Sequence, residues 1–391
     1  MKFWFGRLQR IACMALPLLA AARGNCAPGG WPLWDAYSAH FISSDGRVVD
    51  PQGAQRTTSE GQSYAMFFAL VDNDRARFDR LLNWTQSNMA YGSLGSHLPG
   101  WEWGKAADGQ WKLLDSASAA DSDCWIAYDL IEAGRLWKNP AYTALGQRML
   151  PLIAQQEVAN LPGFGTMLMP GPVQNFVHHN AWTLNPAYVP LFLFQRLATV
   201  DRKGPWGAIA ANIPRLIRQS ARHGFAMDWV NYTPGIGFVP VFSQNPPQEG
   251  KTDPPPFGGY EAIRVYLWAG MLDGSGKTRA DMIGAVNGMG SWLANHDAPP
   301  EKVSVQGLSL GPDGPVGFSG AVIPYLRQLP SAKELALQQR ARIEGQFIPS
   351  TGLYGNDPAY YDQNLILFGV GFDENRFSFG PGGELRVHWT Q

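Results

Sequence analysis

Four short segments place carboxyl or phenol side chains where a helical pattern begins: Thr57-Thr58-Ser59-Glu60-Gly61, Ala120-Asp121-Ser122-Asp123, Asn185-Pro186-Ala187-Tyr188 and Gly259-Tyr260-Glu261. Carboxyl groups that meet in one cleft can divide acid and base work, one protonating a departing oxygen while another activates water or attacks carbon. That division of labour is what cleavage of a glycosidic bond requires. An acidic residue at a helix start also caps amides and complements the dipole without doing chemistry, so position alone leaves both readings open. The two roles even conflict, because a helix N-terminus lowers a carboxyl pKa and a general acid needs it raised. Glu60 can act as the acid only if burial and the charges of Asp121 and Asp123 outweigh the dipole.

For the segments to meet, the elements carrying them must run in register. Apolar residues recur at helical spacing through most of the chain, as in Tyr64, Phe67, Phe68, Val71 and then Phe78, Leu81, Leu82, Thr85. The pattern predicts twelve helices, over 32–41, 59–71, 74–89, 121–137, 140–156, 186–199, 204–222, 259–272, 276–296, 317–328, 331–345 and 358–370. Asp74 reads as an N-cap, Asn139-Pro140 and Leu329-Pro330 as stops, and Gly204-Pro205 as a start. Twelve helices without a Gly/Ser-rich linker predict an all-α fold, six antiparallel hairpins closed into an (α/α)6 toroid, with residues 28–391 as one catalytic domain. Every even-numbered helix then starts at the same end, and the four segments face one cleft. Short extended stretches at 101–114, 164–169, 225–229 and 236–242 are expected as β-hairpins on the rim, and 245–257 as an exposed loop.

Composition narrows the ligand. A formal net charge of -1 gives no electrostatic reason to expect nucleic acid or an anionic membrane as partner. Aromatic residues make up 12% of the chain, with 15 Trp, more than a core needs, and flat rings pack against the C–H faces of sugars. Trp101, Trp103, Trp111, Trp182 and Tyr188 are the candidates for stacking on a neutral sugar polymer, with Tyr188 able instead to hydrogen-bond near the water or base. Arg264 follows Glu261 by nearly one helical turn and can orient that carboxylate and keep it ionised. The adjacent His178 and His179 point apart and have no ligand at metal spacing, so no metal is expected. Lys2, Arg7 and Arg10 before an apolar run at 11–22 and small residues to Ala27 have the shape of a signal peptide over 1–27, too short to span a bilayer. Periplasmic or secreted location, no membrane insertion of the mature chain and no intramolecular disulfide are the expectations, since Cys124 is the one thiol left well inside the mature chain.

Thr58-Ser59-Glu60-Gly61-Gln62-Ser63-Tyr64-Ala65-Met66 resembles the acid-bearing segment of glycoside hydrolase family 8, and Ala120-Asp121-Ser122-Asp123-Cys124-Trp125-Ile126-Ala127 resembles that family's signature. Trp101-Glu102-Trp103-Gly104, Asn185-Pro186-Ala187-Tyr188, Tyr260-Glu261-Ala262-Ile263-Arg264-Val265-Tyr266 and Gly314-Pro315-Val316-Gly317-Phe318-Ser319 extend the resemblance along nearly all of the mature chain. Within the family it is most similar to the periplasmic endoglucanases encoded with bacterial cellulose synthases. The resemblance implies an (α/α)6 toroid, inversion, no cofactor or metal, and a β-1,4-glucan chain as substrate, with synthase export machinery as a further partner. It implies Glu60 as acid, Asp121 holding the sugar ring under attack, Glu261 as base, and Trp101, Trp103, Trp182, Tyr188, Asp123 and Arg264 as substrate contacts, Trp103 and Trp182 being the favoured stacking rings. Glu261 stands where the family has Asp, one methylene longer in a mechanism that needs room for water between two carboxyls, so slowed hydrolysis is expected. The rival readings are a glucan-binding export factor that has lost turnover at Glu261, and a family relative acting on chitosan, mixed-linkage glucan or xylan.

Overall fold

The computed structural model describes residues 30–245, 253–274 and 276–390, and those from Trp31 on belong to one compact unit. The expected signal segment, and 246–252 of the expected loop, lie outside the described residues. Thirteen α-helices are described: α1 Pro32–Phe41, α2 Ser59–Val71, α3 Arg75–Met89, α4 Ala120–Leu136, α5 Pro140–Glu157, α6 Leu191–Val200, α7 Trp206–Ser220, α8 Ile263–Gly270, α9 Lys277–Ala285, α10 Gly288–Leu293, α11 Val316–Gln328, α12 Lys333–Glu344 and α13 Tyr360–Asp373.

Their packing separates an inner from an outer set. Each of α2, α4, α6, α8 and α11 packs against the helix that follows it, and α13 packs back against α1. Among the inner helices, α2 touches α4 and α13, α4 touches α6, α11 touches both α8 and α13, and the 3₁₀ turn Pro186–Tyr188 ahead of α6 touches α8, so the ring returns on itself. Burial follows the same division: nearly every residue of α2, α4, α8, α11 and α13 is buried, whereas α3 and α12 bury one face. A helix that is apolar all round belongs inside, and an amphipathic one belongs at the surface. The centre is filled by interlocking rings from the inner helices, including Tyr64, Phe67, Trp125, Trp268 and Phe368.

Local signals account for most boundaries. Thr58 accepts from the Gly61 amide at 3.1 Å and Asp74 from the Arg77 amide at 2.9 Å, capping α2 and α3. Three expected helices differ. The one expected at 186 opens with a single 3₁₀ turn, Pro186–Tyr188, and the α-helix starts after Pro190, which has no amide to donate. The one expected at 259 begins at Ile263, preceded by a turn over 259–262 whose Gly259 and Ala262 amides are held by the Asp228 carboxylate. The one expected over 276–296 breaks at Asn287, where the Gly288 amide bonds to the Gly224 carbonyl at 2.9 Å.

The rim carries antiparallel strands. Glu102–Lys105 pairs with Trp111–Asp115, and Thr57–Thr58 adds a third strand directly before α2. Gly165–Leu168 pairs with Val158–Leu161. The strand expected at 225–229 lies instead over Trp229–Thr233, in a four-stranded sheet with Val177–His178, Ala181–Leu184 and Gly237–Val241. No described helix is long and apolar enough to cross a membrane.

The α11–α13 contact depends on two glycines. A Cβ on Gly369 would lie 1.8 Å from the Gly320 carbonyl oxygen. Gly369→Ala gains about 0.5–1 kcal/mol of helix propensity but forces two inner helices apart, and overpacking costs typically about 1–3 kcal/mol or more. The expected outcome is a lower urea midpoint with an unchanged slope; an equal or higher midpoint contradicts this packing.

Candidate active site

The loops and helix starts at one end of the inner ring enclose a cleft of about 620 Å³, lined among others by Trp101, Asp115, Ser118, Tyr188, Trp229 and Glu261. Three features of the chain set its acid side. The Ser59 amide donates to the Trp101 carbonyl at 3.0 Å, and Thr57 and Thr58 pair with Trp103 and Glu102. The rim hairpin is therefore hung on the first turn of α2, which fixes Trp101 relative to Glu60. The Ser59 and Ser122 hydroxyls bond at 2.7 Å, which ties the first turn of α2 to that of α4.

Arg264, 1% exposed in the first turn of α8, gathers the carboxyls. Its Nη1 donates to Glu60 Oε2, to Tyr64 Oη at 2.9 Å and to Asp121 Oδ2 at 3.3 Å, while its Nη2 donates to Glu261 Oε2. Asn185 donates to the same Glu261 oxygen at 2.9 Å. The guanidinium carbon lies 5.6 Å from the centre of the Tyr188 ring and 6.0 Å from that of Tyr361. Three carboxyls therefore share one cation. Burial pushes the Glu60 carboxyl up to about 7; the Arg264 charge opposes this and the charges of Asp121 and Glu261 add to it. Burial likewise lifts Asp121 to about 6, against the pull of Arg264. For Glu60 the conflict between helix dipole and general acid is settled by desolvation.

Of the residues singled out from sequence, Glu60, Asp121, Glu261 and Arg264 come together, and Trp101 and Tyr188 line the cleft with Glu261. Asp123 does not reach it. This residue is fully buried, and its carboxyl pKa is raised well above the ordinary range by desolvation and then by the charge of Glu157, with which it shares a hydrogen bond. Neither Asp123 oxygen has another partner, so the pair must hold a proton between them. Trp103 also points elsewhere: a pairing irregularity between Glu102 and Trp103 breaks the two-residue alternation, and Trp103 stacks on Trp111 at 5.2 Å with Arg47 over both rings. Trp182 pairs with Tyr232 on the core face of the four-stranded sheet, whereas Thr183, opposite Asn231, and Trp229 share the other face.

Sequence reasoning passed over Asn185, Tyr64, Trp229, Asp228 and Tyr361. Tyr64 and Asn185 lay inside segments already singled out and showed no separate signal. Asp228, Trp229 and Tyr361 act through contacts across the sheet and the ring, where spacing along the chain carries no information; Tyr361 donates to the Tyr260 carbonyl at 2.5 Å.

Comparison with known proteins agrees with this arrangement. The model of glycosyl hydrolases family 8 matches residues 7–375. An endoglucanase of Xanthomonas axonopodis pv. citri (strain 306) is 44% identical over 386 residues, covering 98% of this chain and 95% of that protein. An endoglucanase of Escherichia coli (strain K12) is 42% identical over 375 residues, covering 96% and 95%. Among solved structures, an endo-1,4-D-glucanase from Vibrio fischeri ES114 superposes with a TM-score of 0.83 at 37% identity, over 93% of this chain and 100% of that one. An endo-β-1,4-glucanase from Acetobacter xylinum shares the fold, with a TM-score of 0.69 at 22% identity, over 88% and 98%. With its ring of six inner helices each backed by an outer partner, the chain is an (α/α)6 toroid and belongs to glycosyl hydrolases family 8.

Proposed function

We propose that this glycoside hydrolase is an endo-1,4-β-glucanase that cuts cellulose-like chains with inversion, with Glu60 as general acid, Glu261 as general base and Asp121 holding the ring under attack. The observation that carries the reading is the sharing of Arg264 by those three carboxyls beside the cleft. The endoglucanase names of relatives spanning nearly the whole chain support the substrate class. So does the lining of the cleft, whose acidic members among the described residues are Asp115 and Glu261, beside mostly neutral, aromatic and amide side chains. A cationic substrate such as chitosan would call for more negative charge than that.

The roles follow from which oxygens are engaged. In Glu60 and Glu261 the Oε2 atom is held by Arg264, and the hydrogen bonds leave Oε1 for the substrate. Glu60, protonated up to about neutral pH, gives its proton to the glycosidic oxygen as the C–O bond breaks. Glu261 takes a proton from water attacking the opposite face of the sugar, and the product has inverted configuration. Asn185 and Arg264 hold Glu261 from one side, which compensates the extra methylene by fixing one oxygen while the other faces the cleft. Export to the periplasm or medium after removal of residues 1–27, in association with cellulose synthesis and its export machinery, completes the proposal; the positively flanked apolar run at the N-terminus supports export.

Reducing-sugar release from carboxymethylcellulose is expected to fall by about 10²–10⁴-fold in Glu60→Gln; equal background release by both proteins would mean a non-hydrolytic glucan-binding factor. Because the acid must be protonated, kcat/KM should decline as pH rises through about 7, the position of the Glu60 carboxyl; a profile flat to pH 9 contradicts the assignment. NMR of a soluble cello-oligosaccharide should show the α-anomer first, and early β-anomer would indicate retention. Because Asn185 and Arg264 already accommodate the extra methylene, Glu261→Asp is expected to leave kcat unchanged or lower, and a several-fold rise would show that the longer side chain crowds the water.

A further inference from the structure

The turn that carries Glu261 has no cap of its own. Residues 259–262 precede α8, and the first amides of a helix need acceptors from outside it. They find one just ahead of a distant strand. Asp228 Oδ1 accepts from the Gly259 amide at 2.7 Å and from the Ala262 amide at 2.8 Å, bracketing Glu261. Around this contact the two chain segments are interlaced. The Asp228 amide donates to the Phe257 carbonyl at 3.0 Å, and the Ala226 amide donates to the Tyr266 hydroxyl, on α8, at 3.0 Å. A Cβ on Gly258 would lie 1.9 Å from the Ala226 carbonyl oxygen, so only glycine permits this approach. The next residue after Asp228 is Trp229, which lines the cleft opposite Tyr188 with ring centres 6.1 Å apart.

Resting on the assignment of Glu261 as base, we infer that Asp228 is a positioning residue for hydrolysis: by holding both amides that flank Glu261 it sets the base and locks it to the strand bearing Trp229. Sugar seated against Trp229 and the carboxylate that activates water are thereby parts of one rigid unit. Asp228 is 6% exposed and is not among the residues that line the cleft, so its effect passes through the turn. Burial pushes its carboxyl up to about 7, with the Glu261 charge adding and the two amide bonds opposing. The neutral form still presents an acceptor oxygen, so the hold does not require the charge.

Asp228→Ala, Asp228→Asn and Glu261→Gln, each checked by circular dichroism, are compared with wild type on a cello-oligosaccharide. Asn keeps the acceptor oxygen and Ala does not. The expected result is a kcat loss on the order of 10²-fold in Asp228→Ala with KM within a few-fold of wild type, and recovery of most of that loss in Asp228→Asn. A structural support for the cleft alone would move KM and kcat together. Wild-type kcat in Asp228→Ala overturns the inference, as does Asp228→Asn falling as far as Asp228→Ala. Should the alanine variant not fold, Asp228→Ser, too short to span both amides, takes its place with the same expected loss. Glu261→Gln separates the two failures: activity there overturns the base assignment and this inference with it, whereas an inactive Glu261→Gln beside an unaffected Asp228→Ala overturns this inference alone.

Discussion

One buried guanidinium opposes three carboxyls, and the rest of the site is arranged around that imbalance. Arg264 is always charged, and it meets Glu60, Asp121 and Glu261 through its two terminal nitrogens. If all three acids were ionised, two negative charges would stand uncompensated in a largely dehydrated cleft. The molecule relieves this by keeping protons: Glu60 is lifted to about 7 and Asp121 to about 6, burial being the main cause in both. A structural ion-pair cluster would be built to keep every acid ionised. Here the acid at the helix start is held near the point where it can both keep and give up a proton, which is the requirement for general acid work near neutral pH.

The toroid supplies what the arginine needs. The three acids belong to three inner helix starts widely separated in sequence, and α2 and α4 are tied at their first turns by the Ser59–Ser122 hydrogen bond. Arg264 reaches across from α8 to both. Beneath them Trp125, Tyr64 and Trp268 fill the ring, Tyr64 meeting both indoles edge to face and the indoles meeting at a tilt, so the floor cannot collapse to separate the charges. The Asp123–Glu157 pair lies deeper, with the Ser118 hydroxyl donating to Glu157, and links α4 to the end of α5 behind Asp121. A proton held between the two leaves this buried pair one negative charge in place of two.

Much of this was legible in the sequence, and the reasons for the remainder are physical. Apolar residues at helical spacing mark the helices, and their alternation fixes which ends meet; the helix starts grouped Glu60, Asp121, Asp123, Tyr188 and Glu261 with a capping role left open, and the family resemblance supplied the roles and added Arg264 to Glu261. Boundaries shifted where distant groups meet the backbone: Asp228 holds the turn over 259–262 ahead of α8, and the Gly224 carbonyl accepts from the Gly288 amide where the helix expected over 276–296 is interrupted. Aromatic residues were legible as a class but not by destination. Trp103 is turned by a bulge and Trp182 by strand register, while Trp229 gains the cleft because its strand begins there, four residues later than the expected one. A single residue of register decides which face of a strand a ring occupies, and composition does not encode it.

The most direct test is the titration of the Glu60 carboxyl itself, by NMR on protein labelled at the glutamate side-chain carbons, in wild type and in Arg264→Met. The account predicts a midpoint near 7 in wild type and a higher one without the arginine, whose charge holds the acid down. A wild-type midpoint in the ordinary range near about 4.3, or one that does not move when the guanidinium is removed, would contradict it.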